Sequence, residues 1–142
     1  MKKYILLFIA IAFLSGCDKD TYNNNNKYLP NYNFSIDIDT NLPLYTPLQF
    51  TANPVRISQA GIGINGIIVM NTGSGYTAFE ASCPNQALSS CSGLTLDGIN
   101  VVCNCDNVSY SLFTGLASTA VQYPLKPYRV QVVGQNMIRV YN

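Results

Sequence analysis

The chain has 142 residues, 48% of them hydrophobic and only 11% charged, with a formal net charge of +1. That is room for one domain with a substantial core, and it offers no electrostatic case for a nucleic acid as partner. Histidine is absent, which removes the imidazole metal ligand and the usual general base, so no catalytic residue and no metal site is assigned and the chain is not expected to be an enzyme.

Residues 1–16 read as an address. Lys2 and Lys3 form a positive start, and residues 4–13 are an apolar run too short for a stable bilayer span. Leu14-Ser15-Gly16-Cys17 then matches the bacterial lipobox, in which small residues precede a cysteine that is acylated and becomes the new N-terminus. Acyl chains on Cys17 would hold the protein on a membrane, which places it in the bacterial cell envelope, on the periplasmic or the cell-surface side. Export implies an oxidising compartment where disulfides persist. Residues 17–31 continue as the lipidated cysteine and a polar, asparagine-rich stretch ending near Pro30. Such a stretch has little apolar area to bury and is expected to be a flexible tether, with Tyr22, Tyr28, Tyr32 and Tyr45 in or near it at the surface.

From Tyr32 to Asn142 the punctuation is that of short strands. Residues 34–38 alternate apolar and polar, the pattern of a half-buried strand. Asn41-Leu42-Pro43 and Tyr45-Thr46-Pro47 break the chain. Residues 67–70 form an apolar run, residues 71–75 a turn, and residues 76–80 a returning strand, so 67–80 is expected to be a hairpin. Residues 100–103 and 109–113 suggest a second strand pair, and 129–133 with 137–141 a closing hairpin around Gly134-Gln135-Asn136. No window sustains a 3.6-residue period. The expected fold class is all-β, with residues 32–142 as one domain of small antiparallel sheets.

Gly61-Ile62-Gly63-Ile64-Asn65-Gly66 matches the dinucleotide fingerprint G-x-G-x-x-G. That motif works at the start of a helix, whose free amides hold the pyrophosphate. Here β-branched Ile67, Ile68 and Val69 follow, so a glycine-rich loop entering a strand is expected instead. No motif pairs the carboxylates Asp37, Asp39, Glu80, Asp97 and Asp106, which are expected on solvated faces, with Lys126 and Arg129 also at the surface.

With Cys17 assigned to lipid, Cys83, Cys91, Cys103 and Cys105 remain. An even number in an exported domain suggests two disulfides. Cys83-Pro84-Asn85 follows one strand, and Cys103-Asn104-Cys105-Asp106 follows another about twenty residues later. After the second loop come Ser109-Tyr110-Ser111-Leu112-Phe113-Thr114-Gly115, and then Tyr123-Pro124-Leu125-Lys126-Pro127-Tyr128-Arg129-Val130-Gln131-Val132.

Over roughly residues 32–142 these features resemble the Rieske iron–sulfur domain family. In that family one loop reads C-x-H and the other C-x-C-H. The first cysteine of each loop binds one iron of a 2Fe–2S cluster, and the two histidines bind the other. The resemblance implies a β-sandwich with both cysteine loops at one tip, and a Cys91–Cys105 disulfide corresponding to the family's loop-tying bridge. The departures are Asn85 and Asp106, which stand where the family has its histidines. An amide oxygen and a hard carboxylate replace two neutral imidazoles, so the site is expected to be degenerate and to hold no cofactor, and Cys83 and Cys103 are then expected to form a second disulfide.

A membrane-anchored, non-catalytic binding or structural module follows, expected to be monomeric, with an unknown protein partner. The alternatives are an electron carrier with a non-standard 2Fe–2S site, in which Cys83 and Cys103 would bind one iron and Asp106, with Cys105, Asn85 or an external group, the other, and a thiol–disulfide redox protein. A C-x-C pair without a helix N-terminus gives the latter little support, and a four-cysteine zinc site lacks paired C-x-x-C spacing.

Overall fold

The computed structural model describes residues 24–142, so Cys17, its lipobox and Tyr22 lie outside the described residues. Among the described residues nine strands fold into two antiparallel sheets, and there is no α-helix. The strands are β1 (Ser35–Asp39), β2 (Pro54–Ile57), β3 (Ile67–Asn71), β4 (Tyr76–Glu80), β5 (Leu94–Asp97), β6 (Asn100–Cys103), β7 (Ser109–Ser111), β8 (Pro127–Gly134) and β9 (Met137–Tyr141). The larger sheet runs β1-β9-β8-β4-β3-β2 and the smaller β5-β6-β7. The all-β antiparallel expectation holds.

The apolar run Ile67 to Met70 explains the layering. Side chains of a strand point alternately to opposite faces, so a strand apolar at every position suits burial on both sides. Ile67 and Val69 enter one core with Ile38, Val55, Ala78, Tyr128, Ile138 and Val140. Ile68 and Met70 enter a second core with Phe79, Leu94, Val101, Tyr110, Leu112, Cys83 and Cys103. The β2-β3-β4 region is therefore a central layer between the β1-β9-β8 strands and the smaller sheet. Thr77 Oγ1 donates to Leu112 O at 2.8 Å across the second interface.

The glycine motif is a loop entering β3. Gly63 and Gly66 hold φ of 66° and 91°, and a Cβ on Gly66 would lie 2.4 Å from Ile57 O. The anion this loop cradles belongs to the chain itself. Glu80, fully buried at the end of β4, accepts from Ile64 N at 2.7 Å and Asn65 N at 2.9 Å. Ser82 Oγ and Tyr128 Oη donate to the same carboxylate at 3.0 and 2.7 Å. The expectation of a solvated Glu80 is thus corrected: four donors satisfy a carboxylate that water does not reach. Of the other acids, Asp37 is exposed and pairs with Arg139 at 2.6 Å, and Asp97 and Asp106 are exposed.

Three further expectations are corrected. The flexible tether was expected to run to Asn31, but residues 24–31 are docked on the domain. Leu29 is buried, Asn24 Nδ2 donates to Pro127 O at 3.2 Å, and Asn26 Nδ2 donates to Pro84 O at 2.7 Å. Tyr28 packs edge-on against Tyr123 at 6.3 Å. Lys126, expected at the surface, is buried beneath this segment. Its Nζ donates to Asn24 O at 3.0 Å, Leu29 O at 3.2 Å and Asn31 Oδ1. Burial lowers the Lys126 pKa, and the nearby Glu80 charge holds it up in part. An ammonium needs such carbonyl partners once it leaves water. Lys126→Met is expected to loosen the docked segment and to speed tryptic cleavage after the exposed Lys27 by about tenfold, the net effect of losing three hydrogen bonds while relieving the cost of a buried charge. An unchanged cleavage rate would show that Lys126 does not hold it. Tyr45, too, is half-buried against the first core rather than free at the surface.

Candidate functional site

The site is the tip where the loop after β4 meets the turn between β6 and β7. Backbone pairing brings the two together. Cys83 N donates to Ser92 O at 2.6 Å, Leu94 N to Ala81 O at 2.9 Å, and Asn104 N to Gly93 O at 3.3 Å. The β6–β7 turn closes on itself through Cys103 N to Val108 O and Asn107 N to Cys103 O, both 2.9 Å. Asn107 sits at the positive φ of 59° that asparagine tolerates better than most residues.

The four cysteines converge there as two disulfides. Cys83 is joined to Cys103 with a Cα separation of 5.4 Å, and Cys91 to Cys105 with 5.0 Å. The inner pair is fully buried in the second core. The outer pair is not: Cys105 is half-buried and Cys91 exposed. The Sγ atoms of Cys83, Cys103 and Cys105 lie within 4.8 Å of one another.

Asn85 and Asp106 have local roles. Asn85 Nδ2 donates to Tyr110 Oη at 3.0 Å and to Tyr123 O at 2.8 Å, while its Oδ1 accepts from Tyr123 N at 2.8 Å. Its amide thus binds the first cysteine loop to β7 and to the segment before β8, much as a backbone ladder would. Asp106 Oδ1 accepts from Val108 N at 3.0 Å, an Asx turn that shapes the second loop. Burial raises the Tyr110 pKa and Asn85 partly offsets it, so Tyr110 keeps its proton at neutral pH.

Residues not singled out from the sequence complete the tip. Gln86 Nε2 lies 2.8 Å from Cys103 Sγ. Ser89 Oγ lies 3.3 Å from Cys91 Sγ and 3.7 Å from Cys105 Sγ. Tyr123 joins the cysteine loops to the docked segment 24–31. Its only sequence signal is its place in the Tyr-Pro-Leu run. Asn85→Ala is expected to cost about 2 kcal/mol, since it removes three hydrogen bonds worth roughly 1 kcal/mol each and opens the site to water. Amide exchange at Tyr123 should accelerate with it; protection unchanged at Tyr123 would show that the Asn85 contacts are dispensable.

No protein-family model matches the chain, and no curated protein matches it. Among solved structures it is similar to a chain from the complex of reduced oxygenase and oxidized ferredoxin in carbazole 1,9a-dioxygenase, at 18% identity over 79% of this chain and 94% of that one, with a TM-score of 0.48. It is also similar to the ferredoxin of carbazole 1,9a-dioxygenase from Nocardioides aromaticivorans IC177, at 15% identity over 78% of this chain and 97% of that one, with a TM-score of 0.44.

Proposed function

We propose that the chain is an exported bacterial lipoprotein, held to a membrane by lipid on Cys17, whose Rieske-like β domain carries two disulfides where that family carries a 2Fe–2S cluster. It acts as a non-catalytic binding or structural module, and the cysteine tip, where Leu88 is 44% exposed, is the surface offered to a protein partner.

The donor set supports this reading because it does not fit the cluster. A 2Fe–2S centre of this type needs two thiolates and two further ligands free to turn towards iron. Cys83 and Cys103 are bonded to each other. The Asn85 amide is engaged on both of its polar atoms, with its oxygen on the Tyr123 amide. Asp106 is a hard oxygen donor that holds the Val108 turn. The observation that carries the proposal is Asn85: its amide does a structural task that would have to be abandoned to ligate a metal. The lipobox residues carry the anchoring.

Two readouts test it on the full-length protein from an exporting host. Iron and acid-labile sulfide should be absent from the purified chain; two of each per chain would overturn the cluster-free reading. Palmitate label and membrane association should both be lost in Cys17→Ala, and label retained in that variant would overturn the anchor.

A further inference from the structure

The two disulfides differ in reach but share a neighbourhood. Cys91 is exposed, whereas Cys83 and Cys103 are buried, and Cys105, the other half of the outer bond, has its sulfur within 4.8 Å of both inner sulfurs. We propose that the tip is a thiol–disulfide exchange site in which an external thiol enters at Cys91 and Cys105 passes the exchange to Cys83, releasing Cys103 as the thiolate. The inference goes beyond the binding-module reading but rests on its two-disulfide state.

The electrons balance without an added oxidant or reductant. An external thiolate attacks Cys91 Sγ, a mixed disulfide forms there, and the electron pair of the broken bond leaves on Cys105 Sγ. Ser89 Oγ is positioned to donate to that thiolate, since a sulfur without a proton can only accept. Cys105 Sγ then attacks Cys83 Sγ, a Cys83–Cys105 bond forms, and the electron pair of the inner bond leaves on Cys103. One thiolate and two disulfides enter, and one thiolate and two disulfides remain.

The environment decides which inner sulfur leaves. Exchange is favoured towards the better-stabilised leaving thiolate. The Gln86 amide donates to Cys103 Sγ at 2.8 Å, and a donor stabilises an anion there. Cys83 Sγ instead faces the Gly93 carbonyl oxygen at 3.8 Å, whose negative end opposes a thiolate. Cys83 is therefore the sulfur attacked and Cys103 the one released.

The experiment treats the full-length, non-reduced protein with glutathione, quenches at intervals with N-ethylmaleimide in denaturant, so that buried Cys103 is reached, and maps the peptides without reduction, using fragmentation to separate Cys103 from Cys105. At time zero no cysteine of the four should carry maleimide; labelling there would contradict the two-disulfide reading itself. With time, glutathione on Cys91, maleimide on Cys103 and a Cys83–Cys105 bridge should appear together. A product modified at Cys91 and Cys105 with Cys83–Cys103 intact, or no reaction at Cys91, would overturn the handover while leaving the two-disulfide reading in place. Gln86→Leu should leave the rate of glutathione entry unchanged and lower the ratio of Cys83–Cys105 to Cys83–Cys103 by about tenfold, the effect of losing one hydrogen bond to an anion; an unchanged ratio would remove Gln86 from the mechanism. Cys91→Ser provides a reductant-free check, because it leaves Cys105 unpaired beside the inner bond. Its purified form should contain the Cys83–Cys105 bridge, and a chain with Cys83–Cys103 alone would overturn the proposal.

Discussion

Glu80→Ala is expected to lower stability by about 4 kcal/mol, since it leaves buried donors without an acceptor, each at a cost of roughly 1–3 kcal/mol. The four donors are the amides of Ile64 and Asn65, the Ser82 hydroxyl and the Tyr128 hydroxyl. Glu80→Gln should also destabilise, by about 2 kcal/mol, because its NH₂ group turns a donor towards groups that are themselves donors. Chemical denaturation of the three proteins checks both values, and a loss below about 1 kcal/mol in Glu80→Ala would mean that water or rearrangement satisfies the loop. Tyr128 reports on the same site through pH. Burial, and then the Glu80 charge, raise its pKa well above the ordinary tyrosine value. The folded state thus keeps a proton that the unfolded chain releases near pH 10. Stability from this group is complete below that pH and falls as pH rises above it. Tyr128→Phe loses the hydrogen bond, about 1 kcal/mol at neutral pH, but lacks this titration, so the gap to wild type should narrow above pH 10. Lys126 titrates nearby with the opposite sign, but it is present in both proteins and cancels in the comparison.

Removing the inner disulfide as Cys83→Ala with Cys103→Ala is expected to cost on the order of 3–5 kcal/mol. The chain-entropy contribution of a bond across 20 residues is about 3 kcal/mol, and the second core loses two packed sulfurs with it. Removing the outer pair as Cys91→Ser with Cys105→Ser should cost about 3 kcal/mol or less, because it closes a shorter span of 14 residues and Cys91 contributes no core contact. The loops overlap in sequence, so the two losses should not add. Thermal unfolding without reductant measures each. A smaller loss for the inner pair than for the outer would contradict the role of Cys83 and Cys103 as core residues.

Much of the fold is legible in local pattern. The run at Ile67 to Met70, a turn of polar residues and glycine, and the return at Tyr76 announce the β3–β4 hairpin, and the last hairpin is equally plain around Gly134. Strands β2 and β5 are not. Pro54 opens β2 directly after Asn53, which reads as a turn, and β5 buries only Leu94 of its four residues, so no alternation marks it. The site divides along the same line. Asp106 acts within two residues of itself, but Asn85 acts on Tyr123, 38 residues away, and Glu80 on a loop 15 and 16 residues before it. A carboxylate at a strand end looks solvated until the glycine loop is folded over it. Lys126 is misread for a like reason: its partners are oxygens of a segment about a hundred residues earlier. The pairing of four closely spaced cysteines is likewise not fixed by their spacing, and only the resemblance distinguishes one pattern.

The most direct test of the account is the mass of the intact, full-length chain, purified without reductant. It is measured in native and denaturing conditions, before and after reduction of the denatured protein. Equal native and denatured masses are expected, with a gain of four hydrogens on reduction, two for each bond joining Cys83 to Cys103 and Cys91 to Cys105. A heavier native mass that loses iron and sulfide on denaturation, followed by a gain of only two hydrogens, would mean that Cys83 and Cys103 hold a cluster and would contradict the account.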